Sequence, residues 1–274
     1  MSADVFVVGN FKGGVGKTKT VTMLSYISAV NKHRRTLVVD LDPQANATSI
    51  LAKTGNITDI SKNITDGFTN GDLTNQITPI IPNLDLIASN TQFSRLPKML
   101  LQSFPDDDKR QVTYLRQLLK PLREQYEAIY LDVPPTISDF SDNAMIASDY
   151  CIIILQTQEL SFDGAKTYIN YMQYLIDNYG AELDIVGILP CMLRAGGRVD
   201  KKVLSDARQE FGNNVLNTIV TYQERLKAYD AEGISMGKIY TGQNDQWDQR
   251  AHKVFENVLD EIDLHKLALQ EEEG

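Results

Sequence analysis

Long apolar runs are missing from this chain. None approaches the roughly 18 residues that a membrane-spanning helix requires, so a protein threaded through a bilayer by helices is not expected. Cysteine is scarce as well, with only Cys151 and Cys191 in 274 residues. Both lie in apolar runs, CIIIL and GILPCML, where a reduced cysteine packs as a small hydrophobe. Two cysteines so far apart make neither a zinc set nor a C-x-x-C pair, and nothing asks for an oxidising compartment. Met1–Asp4 lacks a basic segment and Val5–Val8 is too short for the apolar part of a secretion signal, so a cytoplasmic location is expected. Positive charge is in deficit, 27 Lys and Arg against 36 Asp and Glu, for a net charge of −9. That excludes a protein that coats nucleic acid with its whole surface, though not a local basic patch. Repeats and low-complexity tracts are also missing.

What is present is an ordinary globular composition, 42% apolar and 23% charged, enough for a full core without staples. Short β-branched runs alternate with longer amphipathic stretches. The pattern predicts strands at Val5–Val8, Thr36–Asp40, Leu84–Ile87, Ala128–Asp132, Tyr150–Leu155, Ile185–Leu189 and Val215–Ile219. It predicts helices at Lys17–Asn31, Tyr114–Gln125, Asp142–Ala147, Asp163–Asn178, Lys201–Phe211 and Asp245–Leu264. Such alternation means an α/β fold, a mostly parallel, doubly wound sheet with helices on both faces. One domain over 1–274 is expected, with a loop-rich excursion at about 54–108 and a disordered acidic tail at about 270–274.

The first strand runs into GNFKGGVGKTKT, Gly9 to Thr20. This nearly matches the phosphate-loop pattern G-x-x-x-x-G-K-[ST], except that Phe11 stands where its first glycine belongs. Gly13, Gly14, Val15 and Gly16 let the backbone wrap closely around phosphate and turn its N–H groups inward, and the helix that follows adds its positive end. Lys17 reaches toward the β- and γ-phosphates, and the Thr18 hydroxyl is a ligand for Mg²⁺. Asp40 and Asp42 leave the second strand two residues apart and so share a face toward one metal–phosphate centre. Asp132 ends the strand IYLD.

Lys12, ahead of the glycine pair, is the departure. KGGVGKT resembles the deviant Walker A motif of the ParA/MinD class of P-loop ATPases, VVDLDPQANATS resembles its second aspartate motif, and IYLDVPP resembles its Walker B strand. The similarity extends over nearly the whole chain and is thinnest over Thr54–Pro82. It implies a P-loop fold, ATP and Mg²⁺ as cofactors, and ATP hydrolysis of weak intrinsic rate. Carried onto this sequence, Lys12 reaches the nucleotide of a partner subunit, Asp42 orients the attacking water, Asp40 supports the metal's water shell, and Asp132 holds Mg²⁺ through water. Three stretches differ from the class. Lys19 replaces a threonine near the α-phosphate, so that contact falls to its backbone N–H. Thr221–Glu224 replaces a proline-containing turn near the base, and Cys191–Leu193 replaces a Thr-Met-aromatic stretch.

Within the class, the acidic finish DEIDLHKLALQEEEG argues against a lipid-binding terminal helix, the cysteines against an iron–sulfur carrier, and the dispersed tyrosines against a tyrosine kinase. DNA partition is the leading expectation: a homodimer with ATP, non-specific DNA binding, association with the nucleoid, and a ParB-like centromere-binding adaptor; the alternative is a MinD-like or other positioning ATPase acting on a protein cargo. With the motif beginning at Lys12, a preceding helix-turn-helix is not expected. Pro190–Tyr240 carries eight basic and six acidic residues, counted from the sequence, inside an acidic chain. Arg225, Lys227, Arg198, Lys201 and Lys202 are the candidate DNA contacts, Arg225 foremost because ERLKAYDAEG resembles the segment whose arginine binds DNA in that class.

Overall fold

A computed structural model describes residues 2–156, 159–193, 198–236 and 245–272. In chain order the elements are β1 (Asp4–Gly9), α1 (Lys17–Val30), β2 (Thr36–Asp40), α2 (Asn46–Thr54), α3 (Ile64–Asn70), β3 (Ile77–Ile81) and β4 (Leu84–Ile87). Then come α4 (Leu96–Ser103), α5 (Asp108–Val112), α6 (Tyr114–Leu119), β5 (Ala128–Asp132), α7 (Asp139–Ala147), β6 (Tyr150–Gln156) and α8 (Glu159–Tyr179). The chain finishes with β7 (Asp184–Leu193), α9 (Arg198–Phe211), β8 (Val220–Thr221), α10 (Glu224–Glu232) and α11 (Gln246–Glu272).

All eight strands among the described residues belong to one sheet, ordered β3-β4-β2-β5-β1-β6-β7-β8. Every pairing is parallel except β3 with β4. Alternate side chains feed two cores. Val5, Val7, Leu37 and Val39 join the core under α4–α8, while Phe6, Val8 and Val38 join the one under α1, α2, α10 and α11. With helices on both faces, β2 and β5 are buried throughout and β6 up to Leu155, which is why they read as apolar runs. Both cysteines are free and buried, as expected. Among the described residues no helix is long and apolar enough to cross a membrane.

The differences from the sequence reading have local causes. The excursion at 54–108 supplies strand β3 as well as β4, together with α3 and α4. Prolines at Pro79 and Pro82 argue against a strand there, yet β3 lies at the sheet edge, where a missing ladder donor is tolerated. The helix expected over Tyr114–Gln125 stops at Leu119, just before Pro121. The strand expected over Val215–Ile219 is displaced to Val220–Thr221. The Asn217 and Thr218 N–H groups instead donate to the Glu261 carboxylate on α11, at 2.6 and 2.8 Å. The acidic tail is not disordered through residue 272. There α11 is tied down by Lys266 to Asp4 (2.6 Å) and Gln270 to the Tyr150 hydroxyl (3.2 Å). Residues 273 and 274 lie outside the described residues.

Candidate nucleotide site

The site grows from the carboxyl end of β1. Asn10, buried beside it, donates from Nδ2 to the Ile154 carbonyl (2.7 Å) and accepts the Lys12 N–H (2.8 Å), pinning the loop to β6. Gly9 is required by close approach: a Cβ there would lie 1.8 Å from the Tyr168 hydroxyl. Gly14 and Gly16 have φ of +71° and +104°, a region that glycine enters without steric cost. Gly16 also caps α1 without a side chain. The first N–H groups of α1 thus have no capping oxygen and lie where an anion would meet them.

Lys17, only 6% exposed, turns back so that Nζ donates to the Lys12 carbonyl at 3.2 Å. Burial lowers its pKa, and the carboxylates of Asp132 and Asp42 oppose that shift. The loop lysine and the two aspartates therefore lie within electrostatic reach of one another, as their motifs imply.

The aspartates differ among themselves. Asp40 and Asp132 are register partners on β2 and β5, and both are fully buried. Asp40 is satisfied internally, accepting the Thr48 N–H and hydroxyl (both 2.8 Å) and the Asp42 N–H (3.0 Å). Its pKa is raised to about 6, chiefly by burial, with those hydrogen bonds pulling the other way. Among the described residues Asp132 has no hydrogen-bond partner at either carboxylate oxygen. Burial and then the Asp40 charge push its pKa well up, while the neighbouring Thr18 hydroxyl eases it without meeting hydrogen-bond geometry. Asp42, half-buried, accepts the Gln44 N–H at 2.9 Å and shapes the turn into α2.

An orphaned buried carboxylate beside a hydroxyl and an uncapped helix terminus fits a hydrated divalent cation bound together with phosphate. Among the described residues no three His, Cys, Asp or Glu side chains gather to hold a metal alone. That agrees with Mg²⁺, which keeps several waters and is held by one or two protein ligands plus phosphate oxygens.

Lys17, Thr18 and Asp42 open on a cleft of about 840 Å³, a size suited to a small ligand. The loop from Gly13 to Lys19 forms one wall, and β8 with α10 forms the other. Across it Lys19 on α1 pairs with Asp230 on α10 at 2.5 Å. Burial lowers the Lys19 pKa against that pairing. Sequence reasoning gave Lys19 a backbone role only, and its side chain joins the two walls.

The expected DNA contacts are dispersed. Lys201 and Lys202 are exposed on α9, and the side chain of Arg198 lies outside the described residues. Lys227, exposed, lines the cleft. Arg225 is committed within the chain: its guanidinium donates to Asp248, which is fully buried, and to Glu232 at 3.1 Å. The Tyr229 hydroxyl donates to the same Asp248 at 2.6 Å. Arg225 is thus neutralised on two sides within the chain. Asn10 and Thr48, also part of the site, escaped the sequence reading. Asn10 could have been suspected from its place in the loop, whereas Thr48 carries no motif of its own.

A family model described as an AAA domain, AAA_31, matches residues 3–185. The chain belongs to the AAA_31 family. With its Soj and ParA relatives, that family places it among the P-loop ATPases of the ParA/MinD class. Over 245 residues it is 28% identical to the sporulation initiation inhibitor protein Soj of Bacillus subtilis, covering 84% of this chain and 88% of that one. It is 29% identical to the chromosome partitioning protein ParA of Myxococcus xanthus, covering 81% and 76%. In fold it is similar to a putative plasmid partition protein, BB_S35 of Borrelia burgdorferi, bound to AMPPNP. That match has a TM-score of 0.75 and 21% identity, and covers 97% of this chain and all of the other.

Proposed function

We propose that this ATPase partitions DNA. It binds Mg²⁺-ATP in the cleft, pairs with a second copy of itself, and in that form holds DNA without sequence preference on the nucleoid. It lets go when a centromere-binding, ParB-like adaptor stimulates hydrolysis. The observation that carries this reading is the loop itself, where Lys17 turns its ammonium onto the carbonyl of Lys12. That bond keeps Lys17 inside the loop, Lys12 is left for the partner's nucleotide, and the relatives named for chromosome partitioning support the same reading.

The reaction is phosphoryl transfer to water, in which positioning and charge stabilisation do most of the catalysis. Lys17 and the backbone N–H groups of Gly13–Thr18 hold the β- and γ-phosphates. Thr18 and Asp132 would hold hydrated Mg²⁺, which neutralises charge developing on the phosphates. Asp42 orients the attacking water, and Asp40 fixes Asp42 by accepting its N–H. Lys12 completes the partner's site. The lysine-bearing loops of the two monomers then face each other, and the nucleotide's phosphates bridge them.

Titration of duplex DNA with and without Mg²⁺-ATP tests the proposal. Binding is expected only with ATP, equal for unrelated sequences, and bivalent in Lys201 and Lys202. Replacing both lysines with Ala should lower the slope of log affinity against log salt by about 0.9 for each phosphate no longer neutralised. Lys12→Ala should bind nucleotide yet remain monomeric by light scattering. An ATP-dependent dimer that ignores DNA would overturn partition and point to a protein cargo.

A further inference from the structure

Two apolar side chains pin the phosphate loop, and they go to opposite faces of the sheet. Val15 is fully buried in the core under α1, while Phe11, half-buried, packs against the core under α4–α8. Phe11 stands where the phosphate-loop pattern has a glycine, so the pattern itself calls for no side chain there. Its seat is aromatic. The Phe11 ring lies 4.7 Å from that of Tyr168, tilted by 51°, and 5.5 Å from that of Tyr171, edge-on at 74°. Both tyrosines are on α8, and each is itself held. Tyr168 is 1% exposed and its hydroxyl fits against Gly9, where a Cβ would collide with it. The Tyr171 hydroxyl donates to Asp142 on α7 at 2.8 Å. Tilted and edge-on ring pairs add to the stabilisation that their buried area gives.

Between the two anchors the backbone has little side-chain restraint. Gly13 and Gly14 follow Lys12, and Gly14 has φ +71° with nothing within 4 Å of where its Cβ would stand. Lys12 lies between Phe11 and this glycine pair, its N–H held by Asn10 and its carbonyl by Lys17. The course of the chain at Lys12 is therefore set from the Phe11 side. We infer that Phe11 is a positioning residue for Lys12, its ring keyed against Tyr168 and Tyr171 so that Lys12 is held where hydrolysis needs it. A misplacement of about 1 Å costs on the order of 10²-fold in rate, so the seat of one ring ahead of the lysine matters to turnover.

The inference rests on the reading of Lys12 as a residue of ATP hydrolysis, and a double-variant cycle separates the two. Phosphate release at saturating Mg²⁺-ATP and calorimetric affinity for Mg²⁺-ADP are measured on the parent, Phe11→Ala, Lys12→Ala and the double variant. Phe11→Ala should lose about tenfold in turnover and keep its ADP affinity. Added to Lys12→Ala, the same change should cost almost nothing further, because the residue it positions is gone. Phe11→Tyr, which keeps the ring, should restore parental turnover. Equal losses with and without Lys12, or no loss in either, would overturn the role of Phe11. Parental turnover in Lys12→Ala would instead overturn the reading of Lys12, and the inference with it. If Phe11→Ala loses ADP as well, its loop has collapsed, and the same cycle run with Tyr171→Ala, outside the loop, decides. Loss of ADP by that variant too would show that the seat shapes the whole loop, and would overturn a role exerted through Lys12.

Discussion

Asp40 and Asp132 stand opposite each other on adjacent parallel strands, both fully buried, yet all the hydrogen bonds between them belong to Asp40. Thr48 and the Asp42 N–H satisfy one carboxylate, and among the described residues nothing hydrogen-bonds the other. Two buried carboxyls so close disfavour each other's charge. The pair is therefore costly in the metal-free protein, and a cation bound at Asp132 relieves it.

Removing the unsatisfied charge should stabilise the metal-free protein. The usual aspartate pKa is 3.8, whereas Asp40 is raised to about 6 and Asp132 is raised well above its usual value. In this window the folded state holds protons that the unfolded chain has released. The contribution of the pair is thus fully present below about pH 4 and is lost as pH rises through the folded-state values. Asp132→Asn should raise stability at pH 7.5 by about 1–3 kcal/mol and leave it nearly unchanged at pH 4, read as urea midpoints. The same variant should bind Mg²⁺-ATP more weakly. A lowered midpoint at pH 7.5 would mean that the Asp132 charge is stabilising without metal.

Lys17 and Asp42 should fail differently. Lys17→Ala removes the ammonium buried in the loop, so nucleotide affinity falls and turnover drops by about 10²-fold or more. Asp42→Ala leaves the loop and the β5 carboxylate untouched, so affinity should stay near parental while turnover drops similarly, trapping the ATP-bound state. Phosphate release, with nucleotide binding measured alongside, checks both. Hydrolysis at the parental rate by the Asp42 variant would remove it from the reaction.

Arg225 should matter to folding more than to DNA. Arg225→Ala takes the guanidinium away from the buried Asp248 carboxylate, which keeps the hydrogen bond from the Tyr229 hydroxyl. The cost should be on the order of 2–3 kcal/mol, below the figure for a fully buried pair because the arginine side chain is 24% exposed. The double variant with Asp248→Asn should recover part of that loss in a denaturation cycle. A parental melting curve for the single variant would show that α10 and α11 hold together without this pair.

The phosphate loop was legible in the sequence because its chemistry is local. Glycines at φ > 0, a lysine and a threonine within six residues define the turn wherever the fold places it. The strands β1, β2 and β5 were legible because burial on both faces writes them as apolar runs. What the local pattern could not carry is which strand lies beside which. The opposition of Asp40 and Asp132 exists because β5 inserts between β2 and β1, and residues 92 positions apart become register partners. The same holds for Arg225, whose sequence neighbourhood suggests a basic face and whose actual partners, Asp248 and Glu232, lie on α11 and at the end of α10. Glu261 drew the backbone of Asn217 and Thr218 out of a strand by the same kind of long-range capture. Spacing along the chain by itself determined the nucleotide chemistry and the α/β class. Tertiary packing alone decided which charges are satisfied, because a buried carboxylate or guanidinium takes the partner that the fold brings within about 3 Å, however distant that partner is in sequence.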